Sequence, residues 1–427
     1  MEHKLNDISR RSFFQTSGAA GAAGAAAFTI IKPELVRGAG KERLKAGLVG
    51  CGGRGTQAII DLMQGTENID VVSMGDLFED KLEGSLTKIR GHKDFPSFES
   101  RLKVEPERHF TGFDAYKKVL ASDIDIVMLA TPPGYRPIHF EAAVEAKKHV
   151  FCEKPFGTDP VGVRRFMAAA KKSEQLKLTV MSGAQRRNDA NYVQTVRKIQ
   201  DGAIGEVLAL YAYWVGRPVI QQKARDPKWG DMTWEHRNWY SFVWICGDQI
   251  VEQHLHNIDV CNWVMGTHPV EVVATGGAVW RPREELYGNI YDHISADFVY
   301  PGGVRMSSYC RQFPAPLHQN VSEQIVGTVR RSNGHDLAAN AKTVPYVAEH
   351  TAMAASIRGD GPYVNHGMTV AESTMTCIMG RESAYTGDKV TWDQIMASQL
   401  DLMPKEFDYD AKMEVPPLPV PGVYKLV

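Results

Sequence analysis

A glycine-rich stretch near the start of the chain constrains its fold more than any other feature. Gly50, Gly52 and Gly55 stand at the spacing G-x-G-x-x-G, after an apolar run at 44–49 and before apolar residues at helical spacing. This order predicts a strand, a tight turn and a helix. Gly50 permits the turn, Gly52 lets the backbone approach a pyrophosphate, and Gly55 lets the helix pack against the strand. The free N–H groups and the dipole at the N-terminus of the helix favour a bound anion.

An acidic residue at the end of the next apolar run completes the pattern of a dinucleotide site. The run 69–76 ends in Asp76, about twenty residues after Gly55, where the dinucleotide fingerprint has its ribose-binding acid. The alternative is that Asp76 only caps the following helix. Because a carboxylate repels a 2′-phosphate, the sequence favours NAD over NADP. We expect Gly53 and Arg54, inside the turn, to contact the same cofactor.

Strands and helices alternate as far as Ser182, which is typical of a parallel sheet with right-handed crossovers. We therefore predict an α/β Rossmann domain, a doubly wound parallel sheet, over residues 44–182. Ligands of such sheets bind at the carboxyl ends of the strands. The predicted cofactor contacts at those ends are Asp76, Thr131, Pro132, Glu153 and Lys154.

The alternation of strands and helices ends in the second half of the chain. A chain of 427 residues is also longer than one hydrophobic core usually serves. Alternating runs with aromatic residues between 206 and 327, separated by Gly/Pro turns, predict antiparallel strands. Helices are predicted at 346–357 and 368–385. The proline-rich segment 415–422 is expected on the surface or against a neighbouring subunit. We predict that residues 183–427 form a substrate-binding α+β domain with an open, mostly antiparallel sheet, in a homo-oligomer.

The first 38 residues predict export. Ser9-Arg10-Arg11-Ser12-Phe13-Phe14 is a twin-arginine pattern, and an uncharged stretch rich in Ala and Gly follows it. That stretch is too short and too weakly apolar to indicate a membrane span. The alternative is a disordered arm that happens to contain two arginines. Twin-arginine machinery carries folded proteins to the periplasm, which lacks a comparable pool of free cofactor, so we expect NAD to be tightly bound and recycled in place.

Charge and cysteine content argue against a nucleic-acid-binding, metal-binding or disulfide-rich protein. The formal net charge is −1 and no basic block is present, so nothing indicates a nucleic-acid or charged-membrane partner. The six cysteines are scattered, without a C-x-x-C pair or zinc spacing. We therefore predict neither a metal site nor a disulfide framework, and we expect Cys51 and Cys152 to be buried thiols.

Three motifs together resemble the Gfo/Idh/MocA family of sugar and cyclitol oxidoreductases. They are the glycine turn, the Ala-Thr-Pro-Pro loop at 130–133, and above all Glu153-Lys154-Pro155. The similarity covers almost the whole chain from Lys45 onward. It implies that Lys154 lies near the nicotinamide and the substrate hydroxyl. The alternative is a surface lysine in a turn.

A second stretch, 247–263, carries polar residues at helical spacing. At roughly 100° per residue, Glu252, His256 and Asp259 fall on one stripe of a helix, and apolar residues occupy another face. The family has Asp-x-x-x-His here, so the resemblance implies that His256 is the acid–base partner of the substrate hydroxyl and that Asp259 matches a following aspartate. Glu252 replaces the usual Asp, and His254 stands where Gly is common, which puts the substrate in doubt. A structural histidine is the alternative.

For two further segments, the sequence leaves two interpretations open. The insertion 216–238 contains Trp229 and Trp234, which either line a carbohydrate site or anchor a long loop. The cluster from Tyr287 to His293 resembles exported members with glycosidase-type activity, in which Tyr and His serve as acid or base; strand-edge packing is the alternative.

These observations predict an NAD(P)-dependent oxidoreductase that moves hydride between a carbohydrate carbon and a bound nicotinamide. Lys154 and His256 are the acid–base candidates, and Glu252 and Asp259 orient His256 or bind substrate hydroxyls. One alternative is a redox-neutral, NAD-dependent glycosidase or lyase with a keto-sugar intermediate. Another is a carbohydrate-binding protein on an inactive dehydrogenase fold, against which the combination of Gly50, Asp76, Lys154 and His256 argues.

Overall fold

Six short apolar strands form a parallel sheet in the first half of the chain. The computed structural model describes residues 43–218, 222–281, 284–314 and 317–427, so the predicted signal segment 1–38 lies outside the described residues. The sheet order is β3-β2-β1-β4-β5-β6, and every pair is parallel. The strands are β1 Leu44–Val49, β2 Ile69–Asp76, β3 His109–Thr111, β4 Ile126–Leu129, β5 His149–Cys152 and β6 Val180–Ser182.

Helices connect these strands, and the sheet is buried between two hydrophobic cores. Each residue of β4 and β5 is buried, as expected for strands covered on both faces. This half therefore has the predicted doubly wound Rossmann fold. Its helices are α1 Gly53–Gly65, α2 Glu79–Arg90, α3 Phe95–Phe98, α4 Ala115–Ala121, α5 Arg136–Glu145 and α6 Pro160–Gln175.

Seven strands form a second sheet in the order β12-β11-β7-β10-β9-β8-β13. Only the β7–β10 pair is parallel, so the prediction of a mostly antiparallel sheet is confirmed. Burial alternates strictly along β9, as in a strand with one buried face. The strands are β7 Val207–Gly216, β8 Glu271–Gly277, β9 His293–Val299, β10 Arg305–Gln312, β11 Asn320–Gly327, β12 Arg331–Ser332 and β13 Val390–Thr391.

Eight helices accompany this sheet in the described residues. They are α7 Ala190–Gln200, α8 Asp231–Arg237, α9 Val243–Cys246, α10 Gln249–Glu252, α11 Leu255–Met265, α12 Pro345–Arg358, α13 Gly367–Thr386 and α14 Trp392–Ala397. Helix α13 ends at Gly387, which has φ +77° and so takes the left-handed conformation that terminates many helices. No described helix is long and apolar enough to cross a bilayer.

Helix α12 crosses the predicted domain division. It follows strand β12 of the second sheet in sequence, yet Met353, Ala354 and Ile357 lie in the same core as Ile59 and Leu62 of α1. A division of the chain at Ser182 therefore separates the two sheets but not their hydrophobic cores. The consequence for the site is that α12 lies beside the glycine turn.

The prediction of one continuous helix through 247–263 is wrong. Helix α10 ends at Glu252 and α11 begins at Leu255. The backbone N–H of His254 bonds the carbonyl of Gln249, five residues earlier, so the chain makes a wider turn there than an α-helix allows. The His254 ring is held by the hydroxyl of Ser308 on β10, 2.8 Å from Nε2. This break changes the relative directions of Glu252 and Asp259.

Candidate active site

A cavity of about 590 Å³ runs between the Rossmann sheet and the second half of the chain. Both halves line it, and its size is in the range of ligand pockets. Its lining includes the glycine turn and Asp76 as well as Lys154 and His256. The lining residues used below are Gly50, Gly52, Gly53, Arg54, Asp76, Phe78, Phe113, Tyr116, Thr131, Pro132, Tyr135, His139, Glu153, Lys154, Gln185, His236, Arg237, Trp239, Glu252, Gln253, His256 and Tyr346.

The glycine turn has the shape that a bound pyrophosphate needs. Gly50 has φ +98°, and a Cβ there would lie 2.6 Å from the backbone of Ala130. A Cβ on Gly55 would lie 1.9 Å from the Gly50 carbonyl oxygen, so only glycine lets α1 approach the strand. Around Gly52 and Gly53, by contrast, a Cβ would meet no atom within 4 Å. The backbone there faces open space at a helix N-terminus, which fits a dinucleotide phosphate.

Asp76 holds the glycine turn against the segment that leads into α2. Its Oδ2 accepts the N–H of Cys51 at 2.6 Å and its Oδ1 accepts the N–H of Phe78 at 2.9 Å. The carboxylate thus joins the glycine turn to the start of α2, and it also lines the cavity. Burial raises the pKa of Asp76, and the two backbone hydrogen bonds oppose that effect. Each oxygen keeps a further lone pair with which to accept a ribose hydroxyl.

Arg54 is the centre of an ion-pair cluster beside the turn. Its guanidinium donates to Asp61 at 2.9 Å, to Glu153 at 2.5 Å and to Glu349 at 3.0 Å. Burial works to lower the pKa of Arg54, but the Glu153 and Glu349 carboxylates outweigh it and the pKa is raised. The Tyr346 ring lies 4.6 Å from the guanidinium carbon. The cofactor turn, Glu153 and α12 are therefore one connected unit.

Lys154 and Glu252 meet in the lining of the same cavity. The Lys154 Nζ lies 3.1 Å from Glu252 Oε1 and 2.5 Å from the Glu252 carbonyl oxygen. Both side chains are nearly buried, with exposed fractions of 10% and 8%. A buried, paired lysine is unlike the surface lysine that was the alternative. The other oxygen of Glu252 accepts from the Gln253 amide at 2.6 Å.

His256 lines the cavity with its ring stacked at 24° on Trp214, 5.8 Å between centroids. The ring makes no hydrogen bond to the described residues, and its Nδ1 is buried without a partner among them. Burial, with Lys154 and Arg186 as nearby cations, lowers the pKa of His256 well below its ordinary value. The imidazole is therefore neutral at pH 7.

Three of the predicted catalytic residues do not line this cavity, and Gly55, behind the turn, does not line it either. Asp259 forms a two-bond pair with Arg187, both distances 2.8 Å, and it accepts the Ser373 hydroxyl at 2.8 Å. Tyr287 packs edge-on against Trp280, with 5.9 Å between centroids. His293 bonds Asp292 through Nδ1 at 2.8 Å. The structure thus brings Lys154, Glu252 and His256 together and leaves Asp259, Tyr287 and His293 elsewhere.

The insertion between β7 and α9 is anchored by its tryptophans. Trp234 is buried beside Phe242, and Arg237 lies 5.1 Å from the centre of the Trp229 ring. Neither tryptophan lines the cavity, whereas Trp239 does.

Several cavity residues had no signal in the sequence. Tyr346, Gln185, His236 and Arg237 belong to no motif, since each reaches the cavity only through packing of distant segments. The nearest signal for His236 and Arg237 was the aromatic and basic composition of the insertion. Among the described residues, no cluster of His, Cys, Asp and Glu could hold a metal ion. All six cysteines are buried free thiols.

Comparison with known proteins agrees with this geometry. The model of the GFO_IDH_MocA family, described as an oxidoreductase family with an NAD-binding Rossmann fold, matches residues 44–182. An uncharacterized oxidoreductase, YrbE, of Bacillus subtilis is 25% identical over 56% of this chain and 64% of its own length. Inositol 2-dehydrogenase of Rhizobium meliloti is 29% identical over 42% of this chain and 47% of its own length. The chain therefore spans less than two thirds of these curated relatives.

A solved structure of scyllo-inositol dehydrogenase from Lactobacillus casei, with bound NAD(H) and scyllo-inositol, has the same fold. It superposes with a TM-score of 0.63 at 19% identity and covers 82% of this chain and 99% of that one. The glycine turn, the six-stranded sheet and the matched family model agree. Residues 44–182 thus match the Gfo/Idh/MocA family model, and the resemblance that the motifs predicted is confirmed for the Rossmann domain.

Proposed function

We propose that this protein is an NAD-dependent oxidoreductase that oxidises a secondary hydroxyl of a sugar or cyclitol. The observation that carries this proposal is that one cavity contains both a pyrophosphate-shaped glycine turn and the group of Lys154, Glu252 and His256. A dinucleotide along that cavity would have its phosphates at the turn and its reactive ring toward Lys154. The fold alone would not support an activity, but this set of side chains does.

The open backbone around Gly52 and the carboxylate of Asp76 support a dinucleotide as the ligand. When bound, the nicotinamide supplies a hydride acceptor for the substrate carbon. The hydroxyl on that carbon must lose its proton as the hydride leaves. His256, neutral and without a partner among the described residues, accepts this proton. Lys154 donates a hydrogen bond to the developing alkoxide oxygen, and Glu252 holds the lysine in place.

The lining near these residues suits a polyhydroxylated ring. Gln185 and Gln253 offer amide donors and acceptors, and Trp239 offers an aromatic face against which a sugar ring can pack. The relatives named inositol 2-dehydrogenase support a sugar or cyclitol as the substrate class. Tyr287 and His293, on which the glycosidase alternative relied, lie outside the cavity lining, so oxidation is the better supported activity.

Three further features belong to the same proposal. Asp76 favours NAD over NADP by charge. The twin-arginine pattern at Arg10-Arg11 supports export to the periplasm with the cofactor already bound. On its open face the second sheet exposes Val273 and carries the stacked rings of Tyr211 and Tyr213, and this surface supports self-association into a homo-oligomer.

The proposal is tested on the purified full chain by measuring bound cofactor after denaturation and the absorbance of NADH with added inositols, sugars and aryl glycosides. We expect bound NAD and substrate-dependent NADH formation, both supporting oxidation. Glycoside cleavage without net NADH would replace our proposal with the redox-neutral alternative. Absence of NAD and NADP binding would refute both.

A lysine substitution tests the role of the site. Lys154→Ala should abolish NADH formation while cofactor binding persists, because the lysine lies at the substrate end of the cavity. Lys171→Ala, at an exposed position on α6, is the matched control and should retain activity. Equal turnover in both variants would contradict the role given to Lys154.

A further inference from the structure

The adenosine end of the cavity is walled by the second half of the chain as well as by the Rossmann domain. In a Rossmann fold the acid at the end of the second strand marks the adenosine ribose. Around Asp76 the Rossmann domain contributes Phe78 and Phe113 to the cavity wall. Facing them are His236 and Arg237, the last two residues of α8. We call α8 the cover helix.

Two side chains of the cover helix contact the Rossmann domain directly. Arg237 makes two hydrogen bonds to Asp80 on α2, at 2.8 and 3.0 Å, and its guanidinium carbon lies 4.0 Å from the centre of the Phe78 ring. His236 Nδ1 lies 2.5 Å from the Met232 carbonyl oxygen, so it carries the proton. The Tyr135 hydroxyl can then donate to His236 Nε2 at 2.5 Å.

The chain near its C-terminus ties the cover helix down a second time. The Thr233 hydroxyl donates to the Tyr409 carbonyl oxygen at 2.8 Å, and the N–H of Met413 donates to Asp231 at 3.1 Å. The Tyr409 hydroxyl donates to the carbonyl oxygen of Leu77, directly after Asp76, at 2.7 Å. The Tyr409 ring also packs on Phe113, with centroids 5.1 Å apart. Three separate stretches of sequence thus meet over the acid that marks the ribose.

The wall has the chemistry of an adenosine site. The rings of Tyr116 and His139 are stacked, with centroids 4.2 Å apart, and Tyr135 lies 5.6 Å from His139. Flat aromatic faces of this kind pack well against a purine. The Nε of Arg237 is buried without a partner among the described residues.

From these contacts we propose that the cover helix encloses the adenosine half of the dinucleotide and that release of the cofactor requires it to open. This inference rests on the proposed function, since it takes the ligand to be a dinucleotide. Arg237–Asp80 and Tyr409–Leu77 are two of the contacts that hold the helix closed. They lie outside the reacting end of the cavity, so they govern how long the cofactor stays bound rather than the hydride transfer. The cofactor then stays bound longer than it would in a cavity without this cover.

Two residues allow a test that does not touch the ligand. Asp80 and Tyr409 hold the cover helix but do not line the cavity, unlike Arg237. In Asp80→Asn and Tyr409→Phe, the closed state loses the stabilisation that the removed contact supplies, so the open state should become more populated. We expect the dissociation rate of NAD to rise about threefold in each variant and about tenfold in the double variant. Asp297→Asn, which removes the exposed pair with Arg305 on the second sheet, is the matched control.

The measurement is the release of NAD from the holoenzyme, followed by exchange against excess labelled NAD in stopped flow or filtration. Faster exchange in the Asp80 and Tyr409 variants, with an unchanged rate in Asp297→Asn and unchanged substrate KM, would support the cover. Equal exchange rates in all variants would overturn it while leaving the oxidoreductase proposal intact. A wild-type protein that binds neither NAD nor NADP would overturn both.

Discussion

Glu235 offers a prediction whose size can be worked from the structure. Its side chain is only 2% exposed, and one carboxylate oxygen accepts a hydrogen bond from the Trp244 indole at 2.5 Å. Burial raises the pKa of Glu235 from 4.5 to about 7, although the Trp244 hydrogen bond opposes this. The folded state therefore binds the proton more tightly than the unfolded state. The contribution of this carboxyl to the free energy of unfolding is fully present below pH 4.5, and it is lost as the pH rises toward 7.

The size of the loss follows from the two pKa values. Each tenfold change in proton affinity is worth about 1.4 kcal/mol, so the difference between 4.5 and about 7 corresponds to about 3 kcal/mol. Glu235→Gln has nearly the same shape and keeps an acceptor for Trp244, but it carries no charge. The variant should match the wild type at pH 4 and exceed its unfolding free energy by up to about 3 kcal/mol at pH 8.

The assay is urea unfolding at a series of pH values between 4 and 8. Because a protein with two sheets need not unfold in one step, the quantity compared is the change with pH in the midpoint difference between variant and wild type. Glu107→Gln, at an exposed position, is the control and should show no such change. A midpoint difference for Glu235→Gln that is constant across this range would refute the reasoning.

Four further substitutions have distinct expected outcomes. Gly52→Val should leave the melting temperature of the cofactor-free protein nearly unchanged, since a Cβ at this position meets no atom within 4 Å. The same variant should reduce NAD affinity, measured by calorimetry, at least tenfold. Gly55→Ala should instead lower the melting temperature, because its Cβ would lie 1.9 Å from a carbonyl oxygen. His256→Asn should reduce kcat by 10²- to 10⁴-fold with little change in NAD affinity, as for loss of a general base; retained kcat would point to another base. Asp259→Ala should cost about 3 kcal/mol in chemical unfolding because it leaves Arg187 buried and unpaired; a change confined to kcat would instead place Asp259 in catalysis.

Much of the Rossmann domain could be predicted because its signals are local. The glycine turn needs particular backbone conformations at Gly50 and Gly55, and few sequences supply them in front of an amphipathic helix. The strands β4 and β5 are short and wholly apolar, so they predict burial on both faces. Lys154 follows such a strand, and its place at the carboxyl end of the sheet follows from topology alone.

The second half could be predicted only in outline. Alternating runs showed where strands form, but not that β7 pairs with β10 in parallel, because pairing depends on the path of the whole chain. Helical spacing placed Glu252, His256 and Asp259 on one stripe. The wide turn at His254 breaks that spacing, and Asp259 pairs with Arg187 instead of facing the cavity. Helical spacing places residues on one face only where the helix is unbroken.

The sequence by itself determined the cofactor-binding turn, the acid at Asp76, the lysine at 154 and the order of strands and helices in the first half. Only the tertiary structure decided which distant segments complete the site. Helix α12 supplies Glu349 to Arg54, and the cover helix supplies Arg237 to Asp80. These contacts join residues far apart in the chain. The burial of apolar faces between the two halves brings these residues into contact. That burial leaves no periodic signal in the sequence near any one of them.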